Sequence, residues 1–204
     1  TRGDELAQAY IAAQFESFGL EPGAPDGTYI QKVEIVGIKS KAPETVQFKK
    51  GAASISIGKQ DFVAFSGVEE STSGFENAEL VFVGYGIVAP EYGWDDYKGL
   101  DVKGKVLVMM NNDPEDDPAL FGGRTRLYYG RWDYKYEIAA AKGAIGAIII
   151  HTTPSAGYGF SVVQNSWSGE LFALAGGTGP QVQVKMWTTE DASRKIATLA
   201  GQDL

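Results

Sequence analysis

The chain of 204 residues is long enough for one sizeable hydrophobic core, or for one domain with a flanking piece. Apolar residues make up 44% and charged residues 22%, values that are ordinary for a folded globular protein and argue against disorder. With 26 acidic against 18 basic residues the net charge is −8, which argues against a nucleic-acid partner because phosphate binding needs clustered lysine and arginine.

The cysteine content and the length of the apolar runs exclude further kinds of site and structure. The sequence contains no cysteine, which excludes disulfides and thiolate zinc sites. The longest apolar run, Gly143 to Ile150, is too short to cross a bilayer, so we predict no membrane span. The sequence begins at Thr1 without a recognisable signal peptide, and we expect a trimmed sequence from which a targeting segment was removed.

Residues 4–18 predict a helix, followed by short strands. The apolar side chains recur with a helical period at Leu6, Tyr10, Ile11, Phe15 and Phe18. Asp4 lies in the first turn, where the helix dipole favours an acidic residue, and Gly19 can end the helix. After a loop rich in proline and glycine, partial alternation predicts a strand over 29–38, and 46–65 predicts short strands joined by turns.

The polar stretch 69–74 is predicted as a domain boundary, because the composition changes there. Beyond it the sequence predicts strands over 79–83, 105–110, 147–151 and 181–187, and helices over 132–142 and 188–200. A strand, a helix and a continuous apolar strand are typical of a βαβ unit with parallel pairing and a right-handed crossover. Thr188 or Thr189 is the predicted N-cap of the last helix.

Two glycine-rich motifs are similar to nucleotide-binding sequences, but their context argues against that function. Gly84–Ala89 fits the dinucleotide-binding fingerprint, yet Pro90 and Gly93 follow, so no helix opens there to hold a pyrophosphate. Gly99–Val106 nearly fits a phosphate-binding loop, yet it lacks the Ser or Thr that holds magnesium and it precedes a strand. We predict no nucleotide site at either motif.

Residues suited to catalysis or metal binding are few. His151, the only histidine, ends an isoleucine-rich strand, where we expect a structural hydrogen bond rather than metal ligation, because zinc needs three or four convergent ligands. The sequence has no G-x-S-x-G elbow, so a serine triad is not indicated. The acidic run of Asp113, Glu115, Asp116 and Asp117 fits no EF-hand spacing, so a solvated loop is favoured over a calcium site.

Residues 124–137 combine arginine, tyrosine and tryptophan, the residue types that anchor interfaces. Arginine can also hold a carboxylate through two parallel hydrogen bonds. The helical spacing of Trp132, Tyr136 and Ala139 or Ala140 predicts that the helical part faces the core. Two interpretations stay open for the preceding residues, a functional contact loop and a structural connection.

Several short motifs occur in a fixed order between Glu79 and Gly169. They are Gly84-Tyr85-Gly86, Ala89-Pro90-Glu91-Tyr92-Gly93-Trp94-Asp95-Asp96-Tyr97, Asp101-Val102-Lys103-Gly104-Lys105-Val106, Tyr128-Tyr129-Gly130-Arg131-Trp132, Tyr134-Lys135-Tyr136-Glu137, Gly143-Ala144-Ile145-Gly146-Ala147 and Val163-Gln164-Asn165-Ser166-Trp167-Ser168-Gly169. Each is weak alone, but together this segment resembles the protease-associated domain inserted in two-zinc aminopeptidases related to glutamate carboxypeptidase. Residues 10–31 resemble the N-terminal helix and first strand of the peptidase domain.

The resemblance implies an α/β chain in three parts. Residues 1–74 would be an N-terminal flank that contains a helix and a strand of the absent peptidase domain. Residues 75–190 would form a three-layer β/β/α swivelling-type protease-associated domain. Residues 191–204 would form a helix that leads to the catalytic domain. The family binds two zinc ions through a His-x-Asp, a bridging Asp, a Glu-Glu pair, a further acid and a second His, which follow the inserted domain. The sequence to Leu204 contains none of these motifs, and His151 is followed by Thr152-Thr153. The zinc ions and the exopeptidase activity would therefore belong to the catalytic domain, with no cofactor in this chain.

For function, the resemblance implies a lid that walls the active-site cleft and selects substrates, inactive in isolation. Its partners would be its own peptidase domain and peptide substrates, and its location periplasmic or extracellular. Arginines of this domain contribute to substrate recognition in a glutamate carboxypeptidase relative. The candidate contact residues here are Arg124, Arg126, Tyr128, Tyr129, Arg131, Trp132, Asn165 and Trp167.

A different class of function is a free-standing peptide- or protein-binding module that uses residues 124–132 as its contact surface. A sugar-binding module is a third hypothesis, which rests on Trp94, Trp132 and Trp167. Tryptophan serves a hydrophobic core equally well, so the third hypothesis has the least support.

Overall fold

The computed structural model describes residues 1–177 and 179–204, which form a mixed α/β fold. The chain divides into two compact units, residues 1–36 with 172–177 and residues 37–171 with 179–204. The boundary predicted at 69–74 lies inside the larger unit, and the predicted division into three parts stays a prediction.

Secondary structure is distributed along the whole chain. The strands are β1 (Ile35–Lys39), β2 (Thr45–Lys50), β3 (Ala53–Gly58), β4 (Phe62–Ser66), β5 (Leu80–Phe82), β6 (Val88–Ala89), β7 (Trp94–Asp95), β8 (Val106–Met110), β9 (Gly146–His151), β10 (Glu170–Leu174) and β11 (Val184–Thr189). The helices are α1 (Arg2–Ser17), α2 (Trp132–Ala141), α3 (Thr153–Ala156), α4 (Phe160–Trp167) and α5 (Glu190–Leu199), with 3-10 turns at Pro90–Tyr92 and Tyr128–Gly130. Within the described ranges, none of the helices has both the length and the apolar character that a membrane crossing requires.

Helix α1 in the smaller unit confirms the predicted N-terminal helix. The Thr1 hydroxyl accepts a hydrogen bond from the Asp4 amide at 3.3 Å, which satisfies one of the free amides of the first turn. The helix ends where Gly19 adopts a φ of 75°, a left-handed conformation that favours glycine. Every residue of α1 is partly or fully exposed.

Of the strand predicted over 29–38, only the C-terminal part, from Ile35 onward, is a strand in the structure. Strand β1 begins at Ile35 and pairs with β10, so a ladder partner is available from that residue onward. Upstream, Tyr29 packs its ring 6.1 Å from that of Phe15, and its hydroxyl donates to the Leu20 carbonyl. Alternation alone does not make a strand, because the backbone groups need a neighbouring strand to pair with.

The larger unit is built on a five-stranded sheet in the order β4-β11-β9-β8-β5. Strands β5, β8, β9 and β11 are parallel, and β4 joins the edge antiparallel to β11. In the β8–β9 pair, Val106 lies opposite Gly146 and Met110 opposite Ile150, with α2 in the connection. The predicted parallel βαβ unit is therefore confirmed.

The strand and the helix predicted near the C-terminus are both present, but the predicted limits of the strand are wrong. The strand predicted over 181–187 runs instead from Val184 to Thr189, because its register follows β9 up to the pair of Thr189 with His151. Thr189 then caps α5, since its hydroxyl accepts a hydrogen bond from the Ala192 amide at 3.2 Å. One residue thus ends the strand and starts the helix.

Both faces of this sheet are covered. Alternate residues such as Leu107, Met109 and Ile149 pack with α2 and α4 on one face. The intervening residues, among them Val106 and Ile148, pack on the other face against the β2–β3 hairpin and α5. Two covered faces explain why these strands are continuous apolar runs rather than alternating ones.

The glycine motif after β5 forms a tight turn. Gly84 and Gly86 have φ values of 58° and 65°, and a side chain at Gly86 would collide with Met109. The Asp96 carboxylate accepts a hydrogen bond from the Ile87 amide at 2.9 Å, and the chain continues into β6. The glycines therefore serve close packing of the turn against the sheet.

Candidate functional site

The predicted contact residues lie largely in one loop, residues 111–131, which we call the contact loop. It begins at the carboxyl end of β8 and leads into α2, so it lies at the carboxyl edge of the parallel strands. Loops at this edge are where open α/β sheets commonly bind ligands. The position is therefore suited to a contact surface.

A buried aspartate organises the contact loop from inside. Asp113 is only 1% exposed, and its Oδ2 accepts a hydrogen bond from the Leu127 amide at 3.1 Å. Its Oδ1 is buried and has no hydrogen-bond partner among the described residues. Burial raises the pKa of Asp113. The carboxylate ties the start of the loop to its end.

Ser155 in α3 provides a second attachment point. Its carbonyl accepts hydrogen bonds from the Asn112 side-chain amide at 2.5 Å and from the Arg126 guanidinium. The Thr152 hydroxyl caps α3 by accepting from the Ser155 amide at 3.2 Å, which fixes that carbonyl in place. The guanidinium of Arg126, a predicted substrate contact, is therefore bonded to the protein's own backbone.

Aromatic packing anchors the middle of the loop. Phe121 is fully buried, and its ring centroid lies 4.6 Å from Tyr92, 5.5 Å from Trp94 and 5.7 Å from Tyr129. Tyr129 in turn meets the ring of Tyr134 at 5.2 Å in an edge-on arrangement. This aromatic cluster sets the position of the tyrosines that precede α2.

The polar ends of the loop tyrosines are engaged by nearby carboxylates. The Tyr128 hydroxyl donates to Glu137 and the Tyr129 hydroxyl donates to Glu91. These hydrogen bonds raise the pKa of each phenol to about 12, so both tyrosines are neutral donors at physiological pH. Arg131 lies 3.4 Å from the Asp133 carboxylate, and Arg124 is exposed to solvent.

The remaining candidates form a second group, the tryptophan patch, made of Trp132 and Trp167. Their ring centroids are 5.7 Å apart, and Trp167 also packs on Phe65 and Trp187. Trp132 is 41% exposed, so the prediction that it faces the core is wrong. It occupies the first position of α2, where its ring reaches the rim of the core rather than its interior. Asn165 is exposed on α4, the helix that carries Trp167.

Lys135 is the residue at this site that sequence reasoning missed. It is fully buried, and its Nζ donates to the carbonyls of Tyr85 at 2.6 Å and Asn112 at 2.7 Å. Its Nζ lies 5.8 Å from the ring centroids of Tyr85 and Tyr134. Burial lowers the pKa of Lys135 to about 7, against the opposing effect of the Asp113 charge. The signal available in the sequence was a lysine between two tyrosines, Tyr134 and Tyr136, on the helix.

His151 lies in an apolar and aromatic environment. It is 3% exposed, with the rings of Tyr158, Phe160 and Trp187 within 6.3 Å of its own. Burial lowers the pKa of His151, so the imidazole is neutral at physiological pH. Its Nε2 has no hydrogen-bond partner among the described residues, whereas backbone hydrogen bonds at His151 itself and at Tyr158 oppose the effect of burial on the pKa of His151.

The side chains of the acidic run, residues 113–117, do not point toward a common centre. Asp113 points inward, whereas Glu115, Asp116 and Asp117 are exposed, and Asp117 accepts a hydrogen bond from the Ala119 amide at 2.9 Å. Within residues 1–177 and 179–204, no group of three or more His, Asp or Glu side chains is arranged to hold a metal ion. Comparison with protein families, with curated proteins and with solved structures finds no match to the chain.

The packing of Asp113 against Gly130 gives a first prediction. A Cβ at Gly130 would lie 3.0 Å from Asp113 Cγ and 3.1 Å from the Asp113 amide nitrogen. We expect Gly130→Ala to lower the free energy of unfolding by about 1–3 kcal/mol, because overpacking displaces the buried carboxylate. Urea denaturation measures this change. Gly74→Ala is the matched control, since a Cβ there meets no described atom within 4 Å, and equal losses in both variants would contradict the prediction.

Proposed function

We propose that this chain is the non-catalytic, substrate-selecting region of a zinc metallo-aminopeptidase that is exported to the periplasm or the cell exterior. In this proposal the larger unit is a swivelling-type protease-associated domain, and α1 belongs to the peptidase domain. The two zinc ions are held by the catalytic domain. The residues of this chain do not fit a zinc site, because the imidazole of His151 is enclosed by aromatic rings and no carboxylates converge on it within the described residues.

The observation that carries the proposal is the uncovered apolar face of α1. Leu6, Tyr10, Ile11 and Phe15 share one side of the helix and are 61%, 66%, 49% and 39% exposed. Helices in proteins gain most of their stability from packing such an apolar face. Phe18 and Leu20 extend the apolar surface at 70% and 52% exposure. A face of this kind supports a further domain that packs on α1.

The contact loop supports the lid role. Arg124 and Arg131 are exposed near Tyr128 and Tyr129, whose hydroxyls are hydrogen-bonded to carboxylates, so the C-terminal part of the loop offers guanidinium groups next to ordered aromatic rings. Such a surface suits the carboxylates of a peptide substrate. The contribution to catalysis would be to orient the substrate and to exclude water, with no bond-making residue in this chain.

The test uses a matched pair of variants in the purified chain. We expect the unmodified chain to bind a hydrophobic dye and to self-associate with rising concentration. The double variant Tyr10→Gln, Phe15→Gln should abolish both effects without lowering the melting temperature of the larger unit. Phe82→Gln is the control, because Phe82 is 55% exposed in the larger unit and lies outside α1. Sedimentation velocity and dye fluorescence are the measurements.

A second experiment addresses activity and the parent gene. We expect no hydrolysis of aminoacyl substrates by the purified chain with added zinc. Hydrolytic activity that co-purifies with the chain would overturn the proposal. The coding sequence downstream of Leu204 should contain His-x-Asp and then Glu-Glu, the zinc ligands of the proposed catalytic domain.

The alternative is a peptide- or protein-binding module, and the exposure of Trp132 is the observation that favours it. An exposed tryptophan beside Arg131 is a common interface anchor. Trp132→Ala and Arg131→Ala would then weaken the binding of peptides to the isolated chain, measured by calorimetry. Equal affinity in both variants and the unmodified chain would count against this function.

A further inference from the structure

We propose that Lys135 is a buried, proton-linked latch that holds the contact loop closed and releases it more readily as the pH falls. The latch joins α2 to the glycine turn after β5 and to the first residues of the contact loop. This inference goes beyond the proposed function and does not depend on it, because the latch and the loop lie within the larger unit.

The geometry of the latch is a bridge between separate segments of the chain. Lys135 Nζ donates to the Tyr85 carbonyl at 2.6 Å and to the Asn112 carbonyl at 2.7 Å. Tyr85 follows β5 and Asn112 follows β8, two neighbouring strands of the parallel sheet. Asn112 has a φ of 70°, a conformation that costs energy for a residue other than glycine and that the bridge helps to hold.

The two carbonyls leave one N–H of an ammonium ion without a hydrogen-bond acceptor. A neutral amine has two N–H groups, one for each carbonyl, whereas an ammonium ion carries a third. The groups on the remaining sides are the rings of Tyr85 and Tyr134, each 5.8 Å away. A cation gains some attraction from these rings, but full burial removes its hydration.

The charged groups that face the latch come from two other segments. The Asp113 carboxylate, in the contact loop, is bonded to the Leu127 amide, and the Asp96 carboxylate, after β7, is bonded to the Ile87 amide. Both favour the charged lysine, and the Arg126 charge acts on Asp113 in turn. Burial outweighs them, so the pKa of Lys135 falls from 10.5 to about 7.

The direction of the pH effect follows from this shift. When the loop opens, water surrounds the amine and its pKa returns toward 10.5, so the open state binds the proton more strongly than the closed state. The closed-to-open ratio therefore rises with pH between about 7 and 10.5, by up to about tenfold per pH unit. The pKa values of the phenols Tyr85 and Tyr134 are raised from 10.0, which keeps their titrations above the range between pH 7 and about 9.

Hydrogen exchange measured by mass spectrometry tests the latch in the full chain. Protection factors of peptides from 111–131 are measured at several values between pH 7 and 9, each corrected for intrinsic exchange. We expect protection of the contact loop to rise by up to about tenfold per pH unit, while peptides of the β9 core, 146–151, stay more protected than the loop at every pH, which distinguishes loop opening from global unfolding. Lys135→Met should remove this dependence, because methionine keeps the length of the side chain without a titrating group.

Lys142→Met is the matched control, since Lys142 is an exposed lysine just beyond the same helix, with its Nζ 4.9 Å from the Tyr97 ring centroid. It should keep the pH dependence of the unmodified chain. A loop whose protection is independent of pH, or Lys135→Met with an unchanged slope, would overturn the latch. If Lys135→Met does not fold, lysine NMR of the unmodified chain decides: Lys135 must titrate with a midpoint near the pH at which loop protection begins to rise, about 7, and a Lys135 midpoint near 10.5 rejects the proposal.

Discussion

Phe121→Ala is expected to lower the free energy of unfolding by about 3–5 kcal/mol, the usual cost of removing a fully buried phenyl ring. The ring is 0% exposed and contacts three other aromatic side chains, Tyr92, Trp94 and Tyr129. Its removal leaves a cavity beneath the contact loop, because the backbone around it is held by Asp113 and cannot close the space. Urea denaturation followed by tryptophan fluorescence measures the loss.

The control for this substitution is Phe82→Ala, which removes the same ring from a position that is 55% exposed. Its expected cost is below about 1 kcal/mol, because most of the ring already lies in water. In Phe121→Ala we also expect faster trypsin cleavage after Arg124 and Arg131, since the loop loses its anchor. Stability losses of similar size in the two variants would show that Phe121 does not anchor the loop.

The second large effect is the pH dependence of global stability that Lys135 contributes. The folded pKa of this lysine is about 7 and the unfolded value is 10.5, so the unfolded state binds more protons between these limits. The contribution is fully present above pH 10.5 and is lost as the pH falls toward 7, a change of about 4–5 kcal/mol over the whole range. Stability of the chain relative to Lys135→Met should therefore rise by up to about 1.4 kcal/mol per pH unit above pH 7.

Urea denaturation of both proteins at several pH values between 7 and 9.5 measures this difference. Burial also lowers the pKa of Lys185, but that residue is present in both proteins and cancels in the comparison. The pKa of Tyr97 and of Tyr136 is raised by burial, so these phenols affect stability only above pH 10. Parallel pH profiles for the two proteins would mean that Lys135 has an ordinary pKa in the folded state.

The site was only partly visible in the sequence. The concentration of Arg, Tyr and Trp in 124–132 pointed to the loop, because those residue types are unusual in a simple connection. The internal partners of Arg126, Tyr128 and Tyr129 could not be foreseen, since Ser155, Glu137 and Glu91 come next to them only in the folded chain.

The sequence by itself determined the elements whose signals are local. Continuous apolar runs predicted β8 and β9. Thr188 or Thr189 and Gly19 marked helix ends, because capping depends on residues within one turn. The parallel βαβ unit followed from the order of those elements.

Only the tertiary structure decided which charged and aromatic side chains are enclosed. Lys135 looks solvent-exposed in sequence because lysine is rarely buried, yet the carbonyls of Tyr85 and Asn112, distant along the chain, converge on it. In the same way, β1 begins at Ile35 because β10 supplies a ladder partner from that point, and Trp132 lies at the rim of the core through its contact with Trp167. Burial and strand pairing depend on contacts between residues far apart in sequence, and local periodicity carries no record of those contacts.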